Sequence, residues 1–346
     1  MATEAEVIQN LQDIEVGEPL LDPRAQPQQE RDRKTAYPII YKDLYKFYQK
    51  QVSSIWLANE IIIQQKDIDD FNSLTENEQY FIKHVLGFFA ASDTFVIENI
   101  SLNMLTKVQN LEVKSFYTAQ MMIEGVHNEV YSKLIEEHTT SKEERDKLLD
   151  GINEFPGVQK KADWAIKWLQ YDTSFHKRVI AWMILEGIFF ASSFNAIFWL
   201  KERGIMPALT TANELIQRDE SLHADFAVAL YNHLHNKLDE KTVKDIFTEA
   251  LDIEKEFVCE SLPVSLLGMN SHLMCRHLEH RADQLLKRTG YTPMFNVEDP
   301  LRELVEKNSI IASECNFFEK REVNYSLGDM NDKENFDMNE PDEVDF

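Results

Sequence analysis

From Tyr41 onward the apolar positions recur every three or four residues. Leu44, Tyr45, Tyr48, Val52, Ile55 and Trp56 set the period of a packed helix. Thr75-Glu76-Asn77-Glu78 has the spacing of a capping box, and it opens an apolar helix predicted to run to about Leu105. The same period predicts helices over roughly 111–138, 157–169, 174–203, 210–236, 241–260 and 264–289. Gly204 and Pro207, behind the basic residues Lys201 and Arg203, stop the run that ends near 203. No stretch alternates apolar and polar positions beside hairpin chemistry, so strands are expected to be minor. Residues 1–36, with Pro19, Pro23 and Pro27 among glutamines and charges, lack any such period and read as a mobile arm. The expected organisation is one all-α domain over 37–320, followed by an acidic tail over 321–346.

Composition sharpens this picture. Of 346 residues 43% are apolar, enough for a large core, while only ten glycines and ten prolines leave few tight turns. Sixty acidic against 36 basic side chains give a net charge of -24, which would repel a nucleic-acid backbone. The run Val179–Leu200 is long enough to raise the question of a membrane. Glu186, Ser192, Ser193 and Asn195 in its middle favour a buried core helix instead. Met1 to Gln12 has no secretory pattern. Cys259, Cys275 and Cys315 have no metal-ligand spacing, and so sparse a set suits a reducing, cytoplasmic setting. The segment Asp329–Phe346 holds eight acids and one lysine, with Phe336 and the terminal Phe346 as candidate anchors for a partner groove.

The chemistry lies in two Glu-x-x-His motifs, Glu124-Gly-Val-His127 and Glu220-Ser-Leu-His223. Residues three apart on a helix share a face, so each motif presents a carboxylate and an imidazole to one point. A lone copy would be an ordinary surface pair. Two copies in apolar helices are costly unless something neutralises them. Asp93 and Glu186 pose the same problem, each in an apolar run without a basic neighbour on its own face. One acid from each of two helices plus Glu-x-x-His from each of two others is the donor pattern of ferritin-like dimetal bundles. Four carboxylates and two imidazoles suit two iron ions, or manganese, better than structural zinc. Tyr131 stands one turn beyond His127, and Phe190 and Phe194 follow Glu186 by four and eight residues. On this pattern alone Tyr131 is either core packing or an oxidisable phenol shielded from water.

These residues resemble the eukaryotic form of the radical-generating small subunit of class I ribonucleotide reductases. The likeness is carried by Glu18-Pro19-Leu20-Leu21, Ser53-Ser54-Ile55-Trp56, Phe89-Ala90-Ala91-Ser92-Asp93 and Glu124 to Tyr131. It continues in Glu186-Gly187-Ile188-Phe189-Phe190, Asn213 to Glu220, and Asn316-Phe317-Phe318-Glu319-Lys320-Arg321. The resemblance implies a ferritin-like bundle in which Asp93, Glu124, His127, Glu186, Glu220 and His223 ligate two irons and Tyr131 holds a stable radical. It implies a radical pocket of Phe190, Phe194 and Ile216, and a transfer path through Trp56, Asp219 and Tyr325. It also implies a homodimer that acts with a large catalytic subunit docked through the tail, and no nucleic-acid or membrane partner. The sequence departs from the family's more aromatic pattern at 277–280 and 301–304, both expected to lie away from the ligands. Two other readings compete: a different ferritin-like dimetal oxidase, or an accessory small subunit that makes no radical.

Overall fold

The computed structural model describes residues 35–105, 108, 110–169, 173–261 and 263–308. Its helices are α1 (Lys42–Ser53), α2 (Gln65–Asn72), α3 (Glu76–Asn99), α4 (Leu111–His138), α5 (Lys142–Leu149), α6 (Gly151–Glu154) and α7 (Pro156–Leu169). They continue as α8 (Phe175–Ile184), α9 (Ala191–Glu202), α10 (Pro207–His233), α11 (Glu240–Glu256), α12 (Ser271–Arg288) and α13 (Arg302–Asn308). Among the described residues there is no strand, as the sequence leads one to expect. Helix α3 packs on α4 and α8 on α10, while α10 also meets α1, α4 and α9, which places the core among these helices.

The predicted start of α3 is realised. Glu78 N–H donates to Thr75 Oγ1 at 3.3 Å and Thr75 N–H to Glu78 Oε2 at 2.8 Å. Helix α10 begins at 207 rather than 210, because Pro207 does not block the helix but occupies its first turn, where its missing N–H costs nothing. Gly204, at φ +70°, is what ends α9. The run predicted from 264 starts at 271: Gly268, at φ 78°, breaks it after a short 3-10 turn over Val264–Leu267, and Asn270 then caps α12. The apolar run 179–200 packs inside the bundle, nearly every side chain buried.

Short α2, not read from the sequence, has a positional role. Buried Asp67 accepts from Ala208 N–H at 2.7 Å, and Asp70 from Met206 N–H at 2.9 Å. Two carboxylates thus satisfy the open amides and the positive dipole at the start of α10.

Among the described residues three π-turns interrupt the long helices: Ile100–Met104 after α3, Leu185–Phe189 between α8 and α9, and Phe257–Ser261 after α11. A π-turn displaces carbonyls from the regular ladder, and buried carbonyls need donors. Arg281 donates to Gly187 O through Nε (3.3 Å) and Nη2 (3.1 Å). Lys161 donates to Phe189 O at 3.0 Å while paired with Glu254. Arg178 donates to Asn103 O in the first π-turn.

Candidate metal centre

All six predicted ligands are buried, none more than 3% exposed. Asp93 comes from α3, Glu124 and His127 from α4, Glu186 from the π-turn, and Glu220 and His223 from α10. Donor atoms of Glu124, Glu186, Glu220 and His223 lie within 4.8 Å of one another. His127 joins them through Nδ1, 3.3 Å from Glu124 Oε2 and 3.1 Å from Glu220 Oε1. Asp93 stands outside that tight group but within electrostatic range of Glu124, His127 and Glu220.

Four acids converge with no lysine or arginine bonded to any of them among the described residues. Burial, with Glu124 and Glu220 close by, drives the Asp93 carboxyl well above its usual range. Burial and the same two neighbours drive Glu186 up as well. Burial would also raise Glu124, but His223 and His127 outweigh it and hold it down at about 2. Burial would lower His223, yet Glu124 and Glu220 carry it up to about 9. Asp93 Oδ2 and Glu186 Oε2 are buried oxygens with no hydrogen-bond partner among the described residues. A donor set this acidic, with free lone pairs at its centre, calls for cations.

Residues around the cluster orient it. His223 Nε2 lies 3.0 Å from Gln51 Oε1, so the amide oxygen fixes the N–H on Nε2 and leaves Nδ1 toward the carboxylates. His127 Nε2 lies 3.2 Å from Asp219 Oδ2, which also accepts from Trp56 Nε1 at 2.8 Å. The indole stacks over the imidazole at 5.9 Å. Asp219 Oδ1 is held by Arg218 (2.9 Å), whose Nη2 also reaches Ser54 O. Despite its burial, Asp219 stays below the ordinary carboxylate range because Arg218, His127 and Trp56 stabilise the anion. Gln120 spans Glu124 (3.1 Å) and Glu186 (2.9 Å) through Nε2.

The Tyr131 hydroxyl is buried and has no hydrogen-bond partner among the described residues. Burial, followed by Asp93, Glu220 and Glu124, pushes the phenol well above its usual value. Phe89 stacks on the Tyr131 ring at 4.7 Å, and behind it Phe194 (5.1 Å) and Phe190 (6.0 Å) pack on Phe89. Ile216 is buried in α10. Tyr325, Phe336 and Phe346 lie outside the described residues, as do most of the predicted arm and the whole tail.

Sequence reasoning missed Phe89, Gln51, Gln120, Arg218 and Arg281. Gln120 had a signal, standing one turn before Glu124 on the same face. It also misplaced the departure at 277–280, whose His277 comes close to the ligand candidates. His277, Arg281 and Val305 line a cavity together with Glu186 and Glu220, and His277 Nδ1 pairs with Asp299 at 2.7 Å. Linear distance from the motifs concealed this, because α12 packs back against the π-turn that carries Glu186.

A bundle with this donor set defines the class of ferritin-like dimetal carboxylate proteins. Residues 33–302 match the family model described as ribonucleotide reductase, small chain. The sequence is 45% identical over 310 residues to a ribonucleoside-diphosphate reductase small subunit of Arabidopsis thaliana, covering 89% of this protein and 90% of that one. It is also 45% identical to the small subunit of Dictyostelium discoideum, over 86% of this protein and 87% of the relative. In structure it resembles the Rnr4 homodimer of ribonucleotide reductase from Saccharomyces cerevisiae, with a TM-score of 0.72 and 30% identity, covering 86% of this protein and 95% of that one. The protein belongs to the ribonucleotide reductase small-chain family and is the small subunit of a ribonucleoside-diphosphate reductase, an oxidoreductase.

Proposed function

We propose that this subunit generates and holds a tyrosyl radical at Tyr131 and delivers its oxidising power to a large catalytic subunit that reduces ribonucleotides. The observation that carries the reading is a partnerless buried phenol, within electrostatic reach of three of the six ligand candidates and stacked on Phe89. Asp93, Glu124, His127, Glu186, Glu220 and His223 would hold two iron ions, and the donor set suits manganese as well. Metals held there would, with oxygen, supply the one-electron oxidation of the phenol.

The remaining steps belong to the protein itself. Phenolate is strongly disfavoured at Tyr131 by burial and by Asp93, Glu220 and Glu124, so the electron leaves together with the hydroxyl proton and a neutral radical remains. No donor reaches the oxidised oxygen, and the phenylalanines keep water from its ring. His127, Asp219 and Trp56 form a hydrogen-bonded line leading away from the cluster, and the electron returning to Tyr131 would travel along it. Tyr325 would relay it to the large subunit, with Phe336 and Phe346 anchoring the tail. A homodimer is supported by the homodimeric yeast relative, and a cytoplasmic setting by the sparse cysteines.

The test is to load the metal-free protein with ferrous iron under anaerobic conditions, admit oxygen, and record low-temperature EPR beside Tyr131→Phe. A tyrosyl signal in the parent that is absent from the variant is expected. Iron uptake without any radical would point to another dimetal oxidase.

A further inference from the structure

Two of the three cysteines, without recognisable spacing in the sequence, meet in the fold. Cys259 lies in the π-turn Phe257–Ser261 and Cys275 in the first turns of α12, 16 positions further on. Their sulfurs stand 3.6 Å apart. That is van der Waals contact between thiols, and a disulfide needs about 2.05 Å. Closing the gap asks for side-chain rotation, which the solvent-facing position of Cys259 permits. Cys275 is half-buried against the core, so its sulfur is held while that of Cys259 is free to move.

We propose that Cys259 and Cys275 are a reversible modification site, a dithiol that a hydroperoxide oxidises to an intramolecular disulfide. Burial and the adjacent Cys259 sulfur push the Cys275 thiol up to about 12, so Cys275 remains protonated and Cys259 attacks first. The Cys259 thiolate forms an S–O bond to hydrogen peroxide as the O–O bond breaks, and the departing hydroxide takes up a proton as water. The Cys275 sulfur then attacks the Cys259 sulfenic acid. An S–S bond forms, the S–O bond breaks, and the hydroxide leaves with the Cys275 proton as a second water. Two electrons pass from the two sulfurs to one peroxide. A dithiol reductant reverses the change, which reconciles the site with a reducing compartment.

The bond would staple the end of the α11 extension to α12 across the connector that contains the Val264–Leu267 turn and Gly268. Helix α12 is the element whose Arg281 holds Gly187 O, next to Glu186. The staple therefore fixes a helix that supports the metal centre without touching any ligand.

Full-length protein treated with hydrogen peroxide, quenched with catalase and digested without reductant should yield one cross-linked peptide joining Cys259 to Cys275. Two of the three thiols should become unreactive and return with dithiothreitol. Cys259→Ser and Cys275→Ser should each abolish the cross-link, and Cys315→Ser should keep it. A protein in which Cys259 passes to sulfinic acid uncross-linked, or in which either cysteine pairs with Cys315 or with a second copy, would overturn the proposal.

Discussion

At the scale of single residues, the centre depends on side chains that orient others. Asp219 is the clearest case, since one carboxylate oxygen serves both His127 and Trp56 while the other is held by Arg218. Trp56→Phe keeps the ring but removes its N–H donor. The variant should form the Tyr131 signal normally, yet lose about tenfold or more in deoxynucleotide formation with the large subunit. Unchanged turnover would remove Trp56 from the path. The candidate ligands, which the fold gathers in its core, were legible because Glu-x-x-His is a local pattern and because acids in apolar runs are conspicuous. Gln51 and Arg281 were not, since each acts from a helix distant in sequence, and only docking brings it to the site.

At the scale of elements, the long helices were readable from their period, which survives wherever one face is buried. The π-turns were not, because one extra residue per turn leaves the apolar composition unchanged. Nor was α2, whose purpose is to cap another helix. Close packing of these elements can be tested at Gly87 on α3. A Cβ there would sit 2.7 Å from the Leu148 carbonyl oxygen, backbone that cannot swing aside. Gly87→Ala should force α3 from the end of α5 at a cost of about 1–3 kcal/mol and lower the thermal midpoint by several degrees. Gly125→Ala is the control. Nothing lies within 4 Å of its Cβ, and alanine should raise helix stability by about 0.5–1 kcal/mol.

At the scale of the molecule, stability has an acid limb with an identifiable contributor. His138 is buried, stacks on Phe71 at 4.6 Å, and among the described residues has no hydrogen-bond partner for either ring nitrogen. Burial lowers it to about 4. Between that value and the unfolded value of about 6.5 the unfolded polypeptide takes up a proton that the fold does not. Stability from this group is therefore complete above pH 6.5 or so and falls as pH drops toward about 4. Denaturant midpoints measured across that window should decline less steeply in His138→Phe than in the parent. The proposed capture of a large subunit is also tested on the whole molecule. Ending it after Tyr325 should leave iron uptake and the tyrosyl signal intact while abolishing retention on immobilised large subunit. Retention of the shortened protein would place the docking site elsewhere.

The six candidate ligands are divided between two stretches of sequence. Asp93, Glu124 and His127 belong to the α3–α4 pair, and Glu186, Glu220 and His223 to the segment from the π-turn through α10. Each stretch carries an acid and one Glu-x-x-His, and each is half a site. During synthesis the first half leaves the ribosome long before the second exists, so no nascent polypeptide shorter than about residue 223 has the full donor set. Metal capture is then necessarily a late event in the life of the molecule, after the two halves have found each other. A metal delivery system would find the full donor set only after the sequence through His223 has been made.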